Sequence, residues 1–130
     1  MNGSMDRDKK KVLFAEDNES ITKIIIYILK KDGYEIIHYP TGEGVVEGAK
    51  TNKPDLILLD LMMPIKNGLM ILREIKADPE IKDIPVIFLS ANSSDVNIKS
   101  GMGMGAADYI LKPFAFDDLS LRIKKQLNII

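Results

Sequence analysis

The stretch Pro54-Asp55-Leu56-Ile57-Leu58-Leu59-Asp60-Leu61-Met62-Met63-Pro64-Ile65-Lys66-Asn67-Gly68 decides how the rest of the chain is read. Its four consecutive apolar residues, Leu56 to Leu59, are bounded by Pro54 upstream and by Pro64 and Gly68 downstream. No polar alternation marks a wet side, which is the pattern of a strand buried on both faces. Asp60 then stands where the run ends. Alone, an Asp in that place reads as the start of a turn. In an open parallel sheet the same place borders the crevice beyond the carboxyl ends of the strands, where ligands bind.

The flanking sequence supplies more strands of the same kind. Lys11-Val12-Leu13-Phe14-Ala15 is a short apolar run that stops at Glu16-Asp17-Asn18. From Ser20 to Lys31 the period changes: Ile21, Ile24, Ile25, Ile28 and Leu29 have the spacing of one helix face. Asn18 or Ser20 can cap that helix, and Asp32-Gly33 ends it. Tyr34 to Tyr39 reads as a less apolar edge strand. Pro40-Thr41-Gly42 then turns into a helix around Glu43 to Lys50, weakened by Gly44 and Gly48.

Downstream of Gly68, Leu69, Ile71, Leu72 and Ile75 predict a helix to about Ala77, stopped near Asp78-Pro79. Ile84 to Leu89 is another buried strand, ending on Ser90-Ala91-Asn92. A polar segment from Ser93 to Ser100 leads into Gly101-Met102-Gly103-Met104-Gly105. Asp108-Tyr109-Ile110-Leu111 is a short strand before Lys112-Pro113, and Phe116 to Leu127 a last helix. Phe116, Leu119, Leu121, Ile123 and Leu127 are its expected inward face. Strands alternating with helical patterns predict an α/β fold of βαβ units around a parallel sheet.

Composition narrows the function classes. A chain of 130 residues, 45% hydrophobic and 28% charged, reads as one folded unit with a single core. A net charge of -1 leaves no electrostatic footprint for nucleic acid or an anionic membrane. Without Cys there is no disulfide frame, thiolate nucleophile or Cys-based zinc site. One His makes a His-based metal site implausible, so any metal is expected to be a hard cation held by oxygen. No apolar run approaches the roughly 18 residues of a membrane span. The expected location is the cytoplasm. Residues 1–9 read as a loose polar arm or an expression remnant, and 10–130 as the folded domain.

In a parallel sheet the strand ends share one edge. There the first strand brings Glu16 and Asp17, the third Asp60, the fourth Ser90 and the fifth Lys112. Taken singly, each has a bland reading: a helix-start carboxylate pair, a turn hydroxyl, a solvated charge. Together they make a chemistry. Clustered carboxylates repel unless a cation sits among them. A small hard ion, Mg2+ or Mn2+, suits oxygen ligands and is commonly shared with a phosphate. Glu16 and Asp17, directly or through water, would hold it with Asp60 and a backbone carbonyl just past it, that of Met62. Asp60 is then available as a nucleophile for a phosphoryl group. The metal and Lys112 would neutralise charge developing on the phosphoryl oxygens, and the Ser90 hydroxyl would add a hydrogen bond.

From about Lys10 to Leu127 the chain resembles the receiver domains of bacterial two-component response regulators. The resemblance rests on Glu16-Asp17, the block Leu58-Leu59-Asp60 through Gly68, Ser90-Ala91, and Gly105 through Phe114. It implies a doubly wound five-stranded parallel sheet in the order 2-1-3-4-5, with helices on both faces. It further implies that a histidine kinase or phosphotransfer protein phosphorylates Asp60. Ser90 and Tyr109 would be the switch pair and Lys112 the phosphate-sensing lysine. The face made by the fourth helix, fifth strand and fifth helix would meet a downstream effector or output domain. The expected state is a monomer able to dimerise on phosphorylation. Glu16 replaces the more usual Asp, Tyr39 stands where a small residue is usual, and Gly101 and Gly103 put the order of the fourth helix in doubt.

Other readings compete. A haloacid-dehalogenase-like phosphatase shares Leu58-Leu59-Asp60, but its second Asp is Met62 here. A flavodoxin would share the fold, but Glu16-Asp17-Asn18-Glu19 would repel a flavin phosphate. A non-phosphorylated scaffold predicts loss of the acceptor, the acidic pair or the lysine, and none is lost. His38 reads as a surface residue rather than a phosphoryl carrier, and Met62, Met63, Met102 and Met104 as core or interface filler.

Overall fold

The computed structural model describes residues 9–91 and 96–129. The expected N-terminal arm, save Lys9, and the turn at Asn92 lie outside the described residues. Five strands, β1 (Lys11–Ala15), β2 (Glu35–Tyr39), β3 (Leu56–Asp60), β4 (Val86–Ser90) and β5 (Asp108–Leu111), form one parallel sheet in the order β2-β1-β3-β4-β5. Between and after them run α1 (Glu19–Lys31), α2 (Val45–Asn52), α3 (Gly68–Lys76), α4 (Val96–Gly103) and α5 (Phe116–Gln126). Among the described residues no helix is long and apolar enough to cross a membrane.

Strand alternation divides the core in two. Val12, Phe14, Leu56, Leu58, Ile87, Leu89 and Ile110 face α1 and α5, meeting Ile25, Ile28, Leu29, Leu119 and Ile123. Leu13, Ile57, Leu59, Val86 and Phe88 face the other way, meeting residues of α2, α3 and α4 such as Ala49, Ile71 and Ile98. Every residue of β3 and β4 is buried, as their unbroken apolar runs require. Each such Leu or Ile contributes about 1.5–3 kcal/mol by leaving water.

The helix ends follow local chemistry. Asn18 caps α1, its side chain accepting from the Ile21 N–H at 3.0 Å. Glu19 in the first turn and Lys30 and Lys31 in the last complement the helix dipole. Asn67 caps α3 by accepting from the Met70 N–H at 2.9 Å.

Several local expectations need correction. α2 begins at Val45, because Gly44 takes a left-handed φ of 83° that a helical residue cannot have. Gly48 is no mere weakness in it: a Cβ there would overlap the Tyr39 phenol, so the glycine makes room for the ring. On α5, Leu119, Ile123 and Leu127 point inward, but Leu121 and Phe116 are about half exposed. Leu121 lies two residues past Leu119, roughly 200° around the helix. Phe116 instead turns toward Tyr27, ring centroids 5.9 Å apart. The methionines need no such correction: read as core or interface filler, Met63 is buried and Met62 and Met102 are exposed. Finally, α4 forms across Gly101 and Gly103.

Candidate functional site

Register and alternation explain which strand-end residues meet. Phe14, Leu58 and Ile110 face α1 and α5, so Glu16, Asp60 and Lys112, each two positions on, emerge on that same side of the carboxyl edge. Ser90 follows Phe88 by two positions and so shares its side of the sheet, opposite to Asp60. Tyr109 pairs with Phe88 in register and packs against the same cluster. The expected residues therefore fall into two groups. Glu16, Asp17, Asp60 and Lys112 come together, and Ser90 and Tyr109 share the other face.

The Lys112 ammonium joins the buried carboxylates. Its Nζ donates to Asp60 Oδ2 at 3.0 Å and stands 2.9 Å from Glu16 Oε1. The other carboxylate oxygens are met by the backbone: Met62 N–H donates to Asp60 Oδ1 at 3.0 Å, and Asn18 N–H to Glu16 Oε2 at 3.1 Å. Leu61 N–H donates to the Leu89 carbonyl at 3.0 Å, and Lys112 N–H to the Ser90 carbonyl at 2.8 Å. These bonds carry the sheet ladder past the strand ends and hold the loops that bear the site. The Lys112–Pro113 peptide is cis. Gly68 is required by close approach, since a Cβ there would lie 2.8 Å from the Asp60 carbonyl oxygen.

Charge burial dominates the electrostatics. Burial pushes the Glu16 carboxyl above the usual range and the Asp60 charge adds to that, against the lowering by Lys112 and the Asn18 N–H. For Lys112, burial pulls the ammonium down, but its bonds to Glu16 and Asp60 outweigh it and the net direction is upward. Lys112 is therefore charged at neutral pH, and it faces two acidic groups.

One ligand oxygen from each of Glu16, Asp17 and Asp60 lies within 4.8 Å of the others. Among the described residues Glu16 Oε1 is buried without a well-formed hydrogen bond, its counter-charge being Lys112. An all-oxygen, acid-rich set with an under-satisfied buried oxygen fits a small hard divalent cation.

Sequence reasoning missed the walls that Ile21, Ile24 and Phe114 give the site, the support from His38 and Thr22, and the packing of Gly101. A cleft of about 860 Å³ over the carboxylates is walled by Ile21 and Ile24 of α1, by Met62 and by Phe114. The helical spacing of Ile21 and Ile24 signalled only burial. His38 is more than a surface residue: its ring stacks on Phe14 at 4.5 Å and its Nε2 is 3.1 Å from the Glu16 carbonyl. With the Thr22 hydroxyl, which donates to the same carbonyl at 3.3 Å, it steadies the backbone of the acidic pair. Gly101, read from helix propensity alone, proves to be buried against Phe88.

Comparison with known proteins adds an independent line. A family model described as the response regulator receiver domain matches residues 12–124. The uncharacterised transcriptional regulatory protein YcbL of Bacillus subtilis (strain 168) is 38% identical over 116 residues, 89% of this chain and 50% of that protein. The chain spans about half the length of the curated relatives it matches. The receiver domain of the sensor histidine kinase PA1611 of Pseudomonas aeruginosa PAO1, solved with magnesium in its active site cleft, superposes with a TM-score of 0.85 at 28% identity, covering 92% of this chain and 98% of that one. The beryllofluoride-activated receiver domain of Klebsiella pneumoniae RstA gives 0.82 at 32% identity, covering 91% and 98%.

Proposed function

The chain belongs to the response regulator receiver domain family, and on that footing we propose that it is a cytoplasmic phosphoacceptor switch whose acceptor is Asp60. The single observation that carries this reading is the placement of Asp60. Its carboxylate is held by the Lys112 ammonium and the Met62 N–H, at the mouth of a cleft and beside two further acids. In the proposed reaction an Asp60 oxygen attacks the phosphorus of a phosphohistidine on a histidine kinase or phosphotransfer protein. The new P–O bond replaces the P–N bond, and the imidazole leaves with the electron pair and takes up a proton. The small donor acetyl phosphate would react in the same way, with acetate as leaving group. In dephosphorylation water attacks the same phosphorus, the P–O bond to Asp60 breaks, the carboxylate leaves with the electron pair, and the water's proton goes to solvent with inorganic phosphate.

The residues divide the work. Glu16, Asp17, Asp60 and the backbone carbonyl of Met62 would hold Mg2+ or Mn2+. When bound, that ion supplies positive charge to the transferring phosphoryl oxygens. Lys112 holds the Asp60 carboxylate oriented beforehand, its Nζ 3.0 Å from Oδ2, and then follows the charge onto the phosphoryl group. The Ser90 hydroxyl donates to a phosphoryl oxygen, and Tyr109 turns inward as Ser90 moves.

The domain comprises residues 10–130 in this reading. Its signal passes through the face of α4, β5 and α5 to an effector, an output domain or a second phosphorylated copy. The only chemistry is its own phosphorylation and dephosphorylation. Intact-mass spectrometry after incubation with acetyl phosphate tests the reading. One phosphate is expected in Mg2+ and none in excess chelator. Equal labelling with and without the divalent ion would overturn it.

A further inference from the structure

We propose that Phe88 and Gly101 form a positioning pair: the Phe88 ring, seated where Gly101 lacks a side chain, sets the height of α4 above the sheet and so the balance between outward and inward Tyr109. The inference deepens the switch reading above and rests on it.

Two glycines of the same helix make the argument. A Cβ built at Gly101 would overlap the fully buried Phe88 ring, lying 2.8 Å from its Cζ and 3.1 Å from its Cδ2. A Cβ at Gly103 would meet nothing within 4 Å among the described residues. Helix propensity treats the two alike, so the requirement at Gly101 comes from packing, and the three atoms nearest its missing Cβ all belong to Phe88. That residue is central. Phe88 pairs with Tyr109 across β4 and β5, and Ser90 follows it by two positions on the same face. Ile98 of α4, Tyr109 and Met104 pack into the same cluster.

Close-packed interiors answer an inserted group by moving a whole element rather than by compressing. A methyl between Phe88 and α4 lifts the helix and opens the space into which Tyr109 turns. A smaller side chain at position 88 lets α4 settle and closes that space. Because the phosphoryl group favours the inward state, a shift of the resting balance changes the affinity for phosphoryl mimics in the same direction.

Four variants test this: Gly101→Ala, Gly103→Ala, Phe88→Leu and the double Phe88→Leu/Gly101→Ala. The first readout is solvent exposure of fluorotyrosine-labelled Tyr109 in donor-free protein, from its fluorine solvent-isotope shift. The second is the apparent affinity for beryllofluoride in Mg2+. Gly101→Ala should bury the Tyr109 ring and tighten beryllofluoride about threefold. Gly103→Ala should change neither, Phe88→Leu should move both the opposite way, and the double variant should return to wild type. Equal effects of the two alanine variants, or a double variant that fails to revert, would overturn the pair. Should Gly101→Ala not fold, Phe88→Leu and the double variant still oppose each other or refute the proposal. Should wild type bind no beryllofluoride, the phosphoacceptor reading falls, while Tyr109 exposure in donor-free protein still decides the pair.

Discussion

Lys112 Nζ stands 3.0 Å from Asp60 Oδ2, with both side chains largely out of water. The same ammonium reaches Glu16 Oε1 at 2.9 Å, so one cation faces two buried carboxylates. Lys112→Met leaves those carboxylates facing each other in a poorly solvated site. In chelator it should cost about 3 kcal/mol of unfolding free energy, the scale of breaking a buried pair. Saturating Mg2+ should return part of the loss, because a ligand of the folded state stabilises it. Urea denaturation measures both, and an unchanged midpoint in chelator would contradict this account of the site.

Ile65 has a φ of 73° and is 70% exposed. A β-branched residue in the left-handed region is strained by roughly 1–2 kcal/mol, and this one buries little in return. Ile65→Gly should raise stability by about 1 kcal/mol after allowing for the greater freedom of an unfolded glycine. A lower denaturation midpoint would show that the loop needs the isoleucine for another reason.

Among the described residues the buried Tyr34 hydroxyl has no hydrogen-bond partner, and burial, with the Asp32 charge, pushes its pKa up from 10.0 to about 12. A raised folded-state pKa means stability is full below pH 10 and falls as pH rises from about 10 to about 12. Tyr34→Phe should remove that part of the alkaline decline while costing little at neutral pH. Stability curves of the two proteins that stay parallel from pH 9 upward would contradict it.

Met62, exposed at the mouth of the cleft, cannot position or activate a water as an amide could. Met62→Asn should dephosphorylate faster than wild type once phosphorylated. Phosphate release at equal or lower rate would assign the methionine no part in the lifetime.

The sheet was legible because β1, β3 and β4 are unbroken apolar runs, a pattern that only burial on both faces produces. The grouping of Glu16, Asp60 and Lys112 was legible for a related reason: strand ends in a parallel sheet share an edge. The distribution of residues between the two faces was not read from the sequence, although the alternation around Phe14, Phe88 and Ile110 contains it. The glycines were misread because propensity is a local property. Gly48 and Gly101 answer aromatic rings on the strands just before their helices, Tyr39 and Phe88, and helix propensity carries nothing about how a helix packs back on its strand. Phe116 and Leu121 were assigned inward because apolar residues were counted without regard to angle around α5.

Locating the acyl phosphate tests the central claim most directly. Protein phosphorylated with acetyl phosphate in Mg2+ is reduced with borohydride, which converts a phosphorylated aspartate to homoserine, and its peptides are then sequenced by tandem mass spectrometry. The account predicts homoserine at position 60 alone, and none from Asp60→Asn protein treated identically. Homoserine at position 17, or phosphate retained by Asp60→Asn in Mg2+, would contradict it.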